Sequence, residues 1–407
     1  MKLFQKLLFA PAILGLIAPI SASASEITMS DFDAADEAVI ANSSVDSLET
    51  KLNNFEVGTF SETTTMSGAA SFQVGSVDGS GINEAVTATY SYDIDLNTSF
   101  TGDDNLYVGI ETGNYSATSV DFALDSSGDG GNTLSVTSMY YQFPLGNYEL
   151  AVGPKLDSDD LMPTTTSTYS DSFFFGSQYG LASNYFTSQG TGAGVAVSRT
   201  FDNGWNTSGS VISTDTTRIL TKEGIDVLTL SLGYDADNYG GGIVYQDSDS
   251  ACTLAGNFVT DICNVLGVSS IFDEGYTTTT FGAYYSPNEK TTVSVTSSII
   301  DADVSGLNID KIADYQFAVD REIGNGTLSA SYKTFPFFRV PDLNGTTIRN
   351  DDLGSFIEVY YSIDVNDSLT ITPGIAFANP SQDANDIAAG SDDLAFALFD
   401  RTAIGLG

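Results

Sequence analysis

Between residues 88 and 113 apolar and polar side chains alternate almost without a break. Ala88, Tyr90, Tyr92, Ile94 and Leu96 share one parity; Thr89, Ser91, Asp93, Asp95 and Asn97 share the other. After the turn-forming run Gly102-Asp103-Asp104-Asn105, Leu106, Val108 and Ile110 resume the apolar side. Successive strand side chains point to opposite faces, so this spacing predicts a β-hairpin with one apolar and one acidic face. The pattern recurs at 148–157, where Tyr148, Leu150, Val152, Pro154 and Leu156 oppose Glu149, Ala151, Gly153, Lys155 and Asp157. It recurs at 312–322 (Tyr315, Phe317, Val319 against Asp314, Gln316, Ala318, Asp320) and at 326–334 (Leu328, Ala330, Tyr332 against Thr327, Ser329, Ser331, Lys333).

Tight turns rich in Gly, Asn and Asp separate these segments. They fall at Gly102–Asn105, Pro144–Asn147, Phe201–Gly204, Asp235–Asn238, Pro287–Glu289, Ile323–Gly326 and Asp364–Asp367. Such residues supply the positive φ that short hairpins require. Longer polar connections lie near 77–83, 125–133, 158–190, 215–224, 248–275, 300–311, 335–353 and 377–393. Seven short turns alternating with eight long loops predict sixteen strands. Only 31–57 reads as helical, with Val45, Leu48, Leu52 and Phe55 at helical spacing and Gly58 as a stop.

A Greek-key sandwich has no reason to place every short turn at one end and every long loop at the other. A barrel threaded through a membrane from one side does. A polar face repeated on strand after strand is a solvated face, because buried charge is costly unless paired. A sixteen-stranded barrel is wide enough to hold that water. The expected fold is therefore all-β, a sixteen-stranded up-and-down transmembrane β-barrel with a short N-terminal helical segment. Its apolar face meets lipid, and Asp93 and Asp95 line a channel. The even strand number puts both termini at the periplasmic end. Aromatic clusters beside tight turns (Tyr140, Tyr141 and Phe143; Phe201 with Trp205; Tyr284 with Tyr285; Tyr360 with Tyr361) fit an interfacial girdle.

Composition sharpens this. The 407 residues hold 53 acidic and 14 basic side chains, a formal net charge of -39. Nucleic acid is thereby a poor partner. There is no histidine, which removes Ser-His and Cys-His catalysis and the commonest metal ligand. Residues 1–24 read as a secretory signal: Lys2 and Lys6, an apolar stretch over 7–20, and Ala22-Ser23-Ala24 as cleavage site. Three parts follow: 1–24 removed on export, 25–59 a short periplasmic helical segment, and 60–407 the barrel. No other run approaches the roughly 20 apolar residues of a membrane helix. Cys252 and Cys263 are the only cysteines, and in an exported chain a loop-closing disulfide is the default expectation. No metal site and no cofactor are expected.

The longest connection, 158–190, is too apolar to stay in water. Phe173, Phe174, Phe175 and Tyr179, with Leu181, Tyr185 and Phe186, should fold against something. Folding into the barrel would narrow the pore; the alternatives are packing over the mouth or against a neighbouring subunit. Asp157, Asp159 and Asp160 at the start of this loop place negative charge near such a constriction, with Lys155 on the strand beside them. Rings of carboxylates favour cations. "LDSDD" (156–160) lacks the glycine and terminal glutamate of an EF-hand loop. Other acidic loop residues suit solvent, or divalent cations bridging lipopolysaccharide.

Several stretches resemble cyanobacterial outer-membrane porins, of the carbohydrate-selective family and its iron-uptake type. They are "MKLFQKLLFAPAILGLIAP", "FSETTTMSG" (60–68), "LNTSFTGDDNL" (96–106), "MYYQFPLG" (139–146), "VGPKLDSDDLMP" (152–163) and "NDSLTITPGIAFANP" (366–380). The resemblance implies a sixteen-stranded homotrimeric porin in outer-membrane lipid, passing small hydrophilic solutes: sugars, or inorganic ions including iron. The chain departs from the family in lacking an S-layer-homology domain, although "SLETKLNNFEVGTFS" (47–61) resembles the end of the coiled coil that follows one. Without that domain no attachment to peptidoglycan is expected of this chain, and its close, "FALFDRTAIGLG", has no terminal aromatic of the kind that signals insertion. A secreted acidic β-sheet surface or adhesion protein is the alternative. An enzyme is not expected, since without histidine only a carboxylate pair could act and no spacing singles one out.

Overall fold

The computed structural model describes residues 63–78, 86–114, 132–169, 190–215, 217–219, 221, 226–249, 272–304, 312–336, 353–379 and 395–406. The predicted signal, the helical segment 31–57, the aromatics Phe173, Phe174, Phe175 and Tyr179, and Cys252 and Cys263 lie outside the described residues.

Sixteen strands follow in order: β1 (Thr64–Asp78), β2 (Val86–Thr98), β3 (Asn105–Gly113), β4 (Ser135–Leu145), β5 (Tyr148–Asp157), β6 (Thr191–Thr200), β7 (Trp205–Ser213) and β8 (Asp226–Asp235). The second half is β9 (Tyr239–Ser248), β10 (Phe272–Asn288), β11 (Thr291–Val304), β12 (Ile312–Ile323), β13 (Gly326–Pro336), β14 (Leu353–Asn366), β15 (Leu369–Asn379) and β16 (Ala395–Leu406). Every strand pairs antiparallel with its neighbours in sequence, and β1 pairs with β16 from Gly68↔Leu406 to Asp78↔Phe396, closing the sheet. The predicted short–long alternation holds throughout.

Closure removes the sheet's edges, and the pleat sorts the side chains. Leu232 and Ile243 face outward and are 50% and 52% exposed, whereas inward Gln246 and Thr280 are 0% exposed. Along β12 and β13 the outward Tyr315, Phe317, Leu328 and Tyr332 are exposed; the inward Gln316, Ser329, Ser331 and Lys333 are buried. This barrel is inverted relative to a water-soluble one. A soluble protein rarely exposes an apolar patch larger than a few hundred Å², so an apolar band continuing around neighbouring strands suits lipid.

The turns rest on specific residues. Gly146 and Gly324 adopt φ of 66° and 67°, a region costly for any residue bearing a Cβ. In the β2–β3 turn one carboxylate does the organising: Asp104 accepts from the Phe100 and Thr101 amides at 2.9 and 2.8 Å, from Ser99 Oγ at 2.9 Å and from Tyr141 Oη at 2.5 Å. The Tyr141 bond, with those from the turn, holds the Asp104 carboxyl well below the usual carboxylate range.

Aromatics gather at the tight-turn end. Phe100 lies 6.4 Å from Tyr141, Tyr141 5.6 Å from Phe143, and Trp205 5.3 Å from Tyr234. Arg199 caps Phe201 at 4.4 Å and Tyr148 at 5.1 Å. The expected girdle needs one correction. Adjacent residues cannot share a face, so Tyr140 and Tyr360 turn inward and are buried, leaving Tyr141 and Tyr361 outside. Tyr284 likewise turns in, donating to Asp235 Oδ1 at 2.8 Å, while Tyr285 stays out.

Ile243→Arg, near the middle of an outward-facing strand, should destabilise the folded barrel by about 2–4 kcal/mol in bilayers. Denaturant titration in liposomes, followed by tryptophan emission, measures this.

Candidate functional site: the lumen and its constriction segment

The inner wall is lined with hydroxyls and amides, and acids stand among them on β2, β3, β8, β12 and β14. Asp93 and Asp95 share the inward parity of Ser91, which pairs with buried Ser71 on β1. Asp95 accepts from Tyr107 Oη at 2.6 Å, and the Tyr107 ring packs on Tyr140 at 5.2 Å. Asp93 pairs directly with Glu111 across β2 and β3.

The end of β5 brings further acids. Its register slips between Gly153 and Leu156 against β6, and the β4 pairing slips between Met139 and Tyr141. A bulge of this kind re-aims the residues after it. Leu156, expected on the lipid face, is instead fully buried with Tyr140, Ala151, Leu161, Ala196 and Ile212. Lys155 thereby takes the parity opposite Leu156 and the register of Met139; its ammonium donates to the Val136 carbonyl at 2.6 Å, and its charge reaches Asp157.

From this apolar root the chain makes a short turn. The Asp157 amide donates to Asp160 Oδ2 at 2.7 Å, and the Met162 amide donates to the Asp159 carbonyl at 2.9 Å. Thr191 Oγ1 donates to Asp157. Tyr140 is buried and lies within electrostatic reach of Asp95, Asp157, Asp159 and Asp160. Asp159 contacts water yet stands among low-dielectric walls. Burial first, then the like charge of Asp157, push its carboxyl up to about 6. Half-buried Asp160 is pushed up to about 7 by burial, against the lowering bond from the Asp157 amide.

Residues 158–169 then run along the inner wall. Ser210 Oγ on β7 donates to the Ser158 carbonyl at 2.8 Å. Thr164 Oγ1 donates to Asn206 Oδ1 at 2.8 Å and lies 2.8 Å from Ser231 Oγ on β8. The Thr168 amide and hydroxyl meet Ser294 Oγ on β11 at 3.3 and 3.0 Å. Tyr169 donates to Glu358 on β14, and its ring lies 6.0 Å from Tyr360. Burial and the Glu358 charge hold the Tyr169 phenol far above its ordinary range, so it remains a donor.

Sequence reasoning looked to the aromatic run beyond residue 170, which lies outside the described residues, and missed this hydroxyl strip. Its signal was present: Thr164, Thr166 and Thr168 alternate with Thr165 and Ser167 like a strand edge, and Glu358 is a lone inward acid in "FIEVYY". Among the described residues no three His, Cys, Asp or Glu side chains converge as a metal site.

The sequence matches no family model and no curated protein. Its structure is similar to outer-membrane porins. Pseudomonas putida OprB, in a high-pH structure, gives a TM-score of 0.57 at 12% identity, over 89% of this chain and 97% of that one. The trimer form of Vibrio cholerae OmpT gives 0.54 at 12% identity, over 84% and 100%. A mutant Rh. blastica porin gives 0.51 at 12% identity, over 84% and 100%. At such identities these likenesses show a shared barrel fold.

Tyr169→Phe removes a hydrogen bond to a charged acceptor, worth about 1.5–3 kcal/mol. Hydrogen exchange at the Thr168 amide should accelerate correspondingly while the strand amides stay protected.

Proposed function

We propose that the chain is an outer-membrane porin, a water-filled channel for passive diffusion of small hydrophilic solutes, acting without enzymatic chemistry. The observation that carries this reading is the 158–169 segment, laid along a polar lumen inside an apolar-faced barrel and flanked by carboxylates. Asp93, Asp95, Asp159 and Asp160, with Asp157 at the strand end, act as the charged lining, and Lys155 does not. The field they produce attracts cations. Inorganic cations including iron are the favoured solutes, and uncharged sugars pass by size. Export follows cleavage of residues 1–24, and the barrel sits in outer-membrane lipid beside lipopolysaccharide. A homotrimer is the assembly proposed, in keeping with the trimer form of OmpT.

Single-channel recording of the refolded mature chain in planar bilayers tests the reading, with reversal potentials taken under a KCl gradient. Discrete steps with cation selectivity are expected. A folded protein that stays soluble without detergent and produces no steps would replace the porin with a secreted β-sheet module.

The pH dependence follows from Asp159 and Asp160. Their carboxyls ionise only as pH climbs through about 6 and about 7. Cation selectivity should therefore rise from pH 5 to pH 8, and Asp160→Asn should flatten the upper part of that rise. The stability sign is opposite. These groups hold protons in the folded state that the unfolded chain releases near 4, so native stability declines as pH rises from about 4 to 7.

A further inference from the structure

Asn206, Gly233, Gly242, Gly282, Thr296 and Gln316 are direct partners across β7 to β12, making one row on the inner wall. Its central three positions carry no side chain. The constriction segment lies directly over them. A Cβ on Gly282 would overlap the Thr166 carbonyl oxygen, and a Cβ on Gly242 would overlap Thr164 Cγ2. On Gly233 it would stand 2.5 Å from Asn206 Oδ1 and 3.0 Å from Thr164 Cγ2. None of the three has a φ that demands glycine. Strand interiors are weakened by glycine, so backbone geometry gives no reason for three in one row.

We propose that Gly233, Gly242 and Gly282 are positioning residues that set the aperture of the pore. They form a bare trench in the lumen wall that seats residues 164–166 and fixes how far the segment projects into the channel. The inference rests on the channel reading above. Two hydrogen bonds hold the segment against the trench: Thr164 Oγ1 donates to Asn206 Oδ1 and accepts from Ser231 Oγ. The Thr166 contact on Gly282 is with backbone, which cannot rotate away. Carbon atoms pack at about 3.5–4.0 Å, so one added methyl lifts the segment toward the lumen by the order of 1 Å.

The test is a double-mutant cycle. Gly242→Ala supplies the methyl. Thr164→Ser removes the Cγ2 it would strike and keeps the Oγ1 that makes both hydrogen bonds. Gly209→Ala is the control, because its Cβ would meet only the flexible Leu230 side chain at 3.2 Å and a distant carbonyl. Heat-modifiable migration on gels reports that each barrel is folded. Single-channel conductance should fall in G242A relative to wild type, return in T164S/G242A to the value of T164S alone, and stay unchanged in G209A. A folded G242A that conducts as wild type, or a loss that T164S does not relieve, would overturn the seat. Spin labels at Thr165→Cys and Asn238→Cys, with Cys252 and Cys263 replaced by serine, give a readout independent of conduction. The distance should shift in G242A and recover in the double variant. If wild type conducts nothing, the channel reading falls, and the label distances alone decide the seat.

Discussion

Closure of the backbone hydrogen-bond ladder is the constraint on which the rest depends. In hydrocarbon there is no water to satisfy a free N–H or C=O, so a sheet crosses a membrane only when its last strand returns to its first. Here β16 lies along eleven residues of β1, Gly68–Asp78, without a register shift. Once that seam is made, every strand has two neighbours and every side chain has two choices, lipid or lumen. The chain's inverted polarity follows. Leu232, Ile243 and Phe281 stand exposed on the outer face, as lipid contact would allow, and Gln246 and Thr280 are enclosed on a polar inner face.

The same rule explains what the sequence made legible. Period 2 is local, and the glycines, asparagines and aspartates of the short turns announce themselves, so strand number, order and face assignment could be read directly. On β12 and β13 the expected parity is the observed one. The failures occur where parity is not conserved or not local. The bulge at the end of β5 inverted Leu156 and carried Lys155 away from Asp159 and Asp160, and a one-residue slip leaves no mark in composition. Tyr140, Tyr284 and Tyr360 were grouped with their neighbours by proximity, although adjacent strand residues must diverge.

The constriction was half legible for a related reason. Asp157, Asp159 and Asp160 stood out as a charge cluster, whereas the placement of Tyr140 within electrostatic reach of these three and of Asp95 is tertiary, and no spacing encodes it. The hydroxyl strip from Thr164 to Tyr169 reads as an ordinary polar loop until the wall it lies on is known. Its partners are Asn206, Ser231, Ser294 and Glu358, dispersed over four strands. Hydrophobicity drew attention to the aromatics further along, whereas polar matching holds the described part of the loop.

The bond from Tyr169 to Glu358 joins residues 189 apart in sequence. Contacts of such separation form only after the intervening chain has been organised, because loop closure costs entropy that later contacts must offset. Between them lie eight strands, β6 to β13. During assembly the barrel therefore exists first as a sheet whose interior passage is undefined, and the narrow part is drawn in when β14 arrives. The inner passage acquires its bore near the end of folding, so a chain arrested before that step has the barrel wall and nothing laid across its interior.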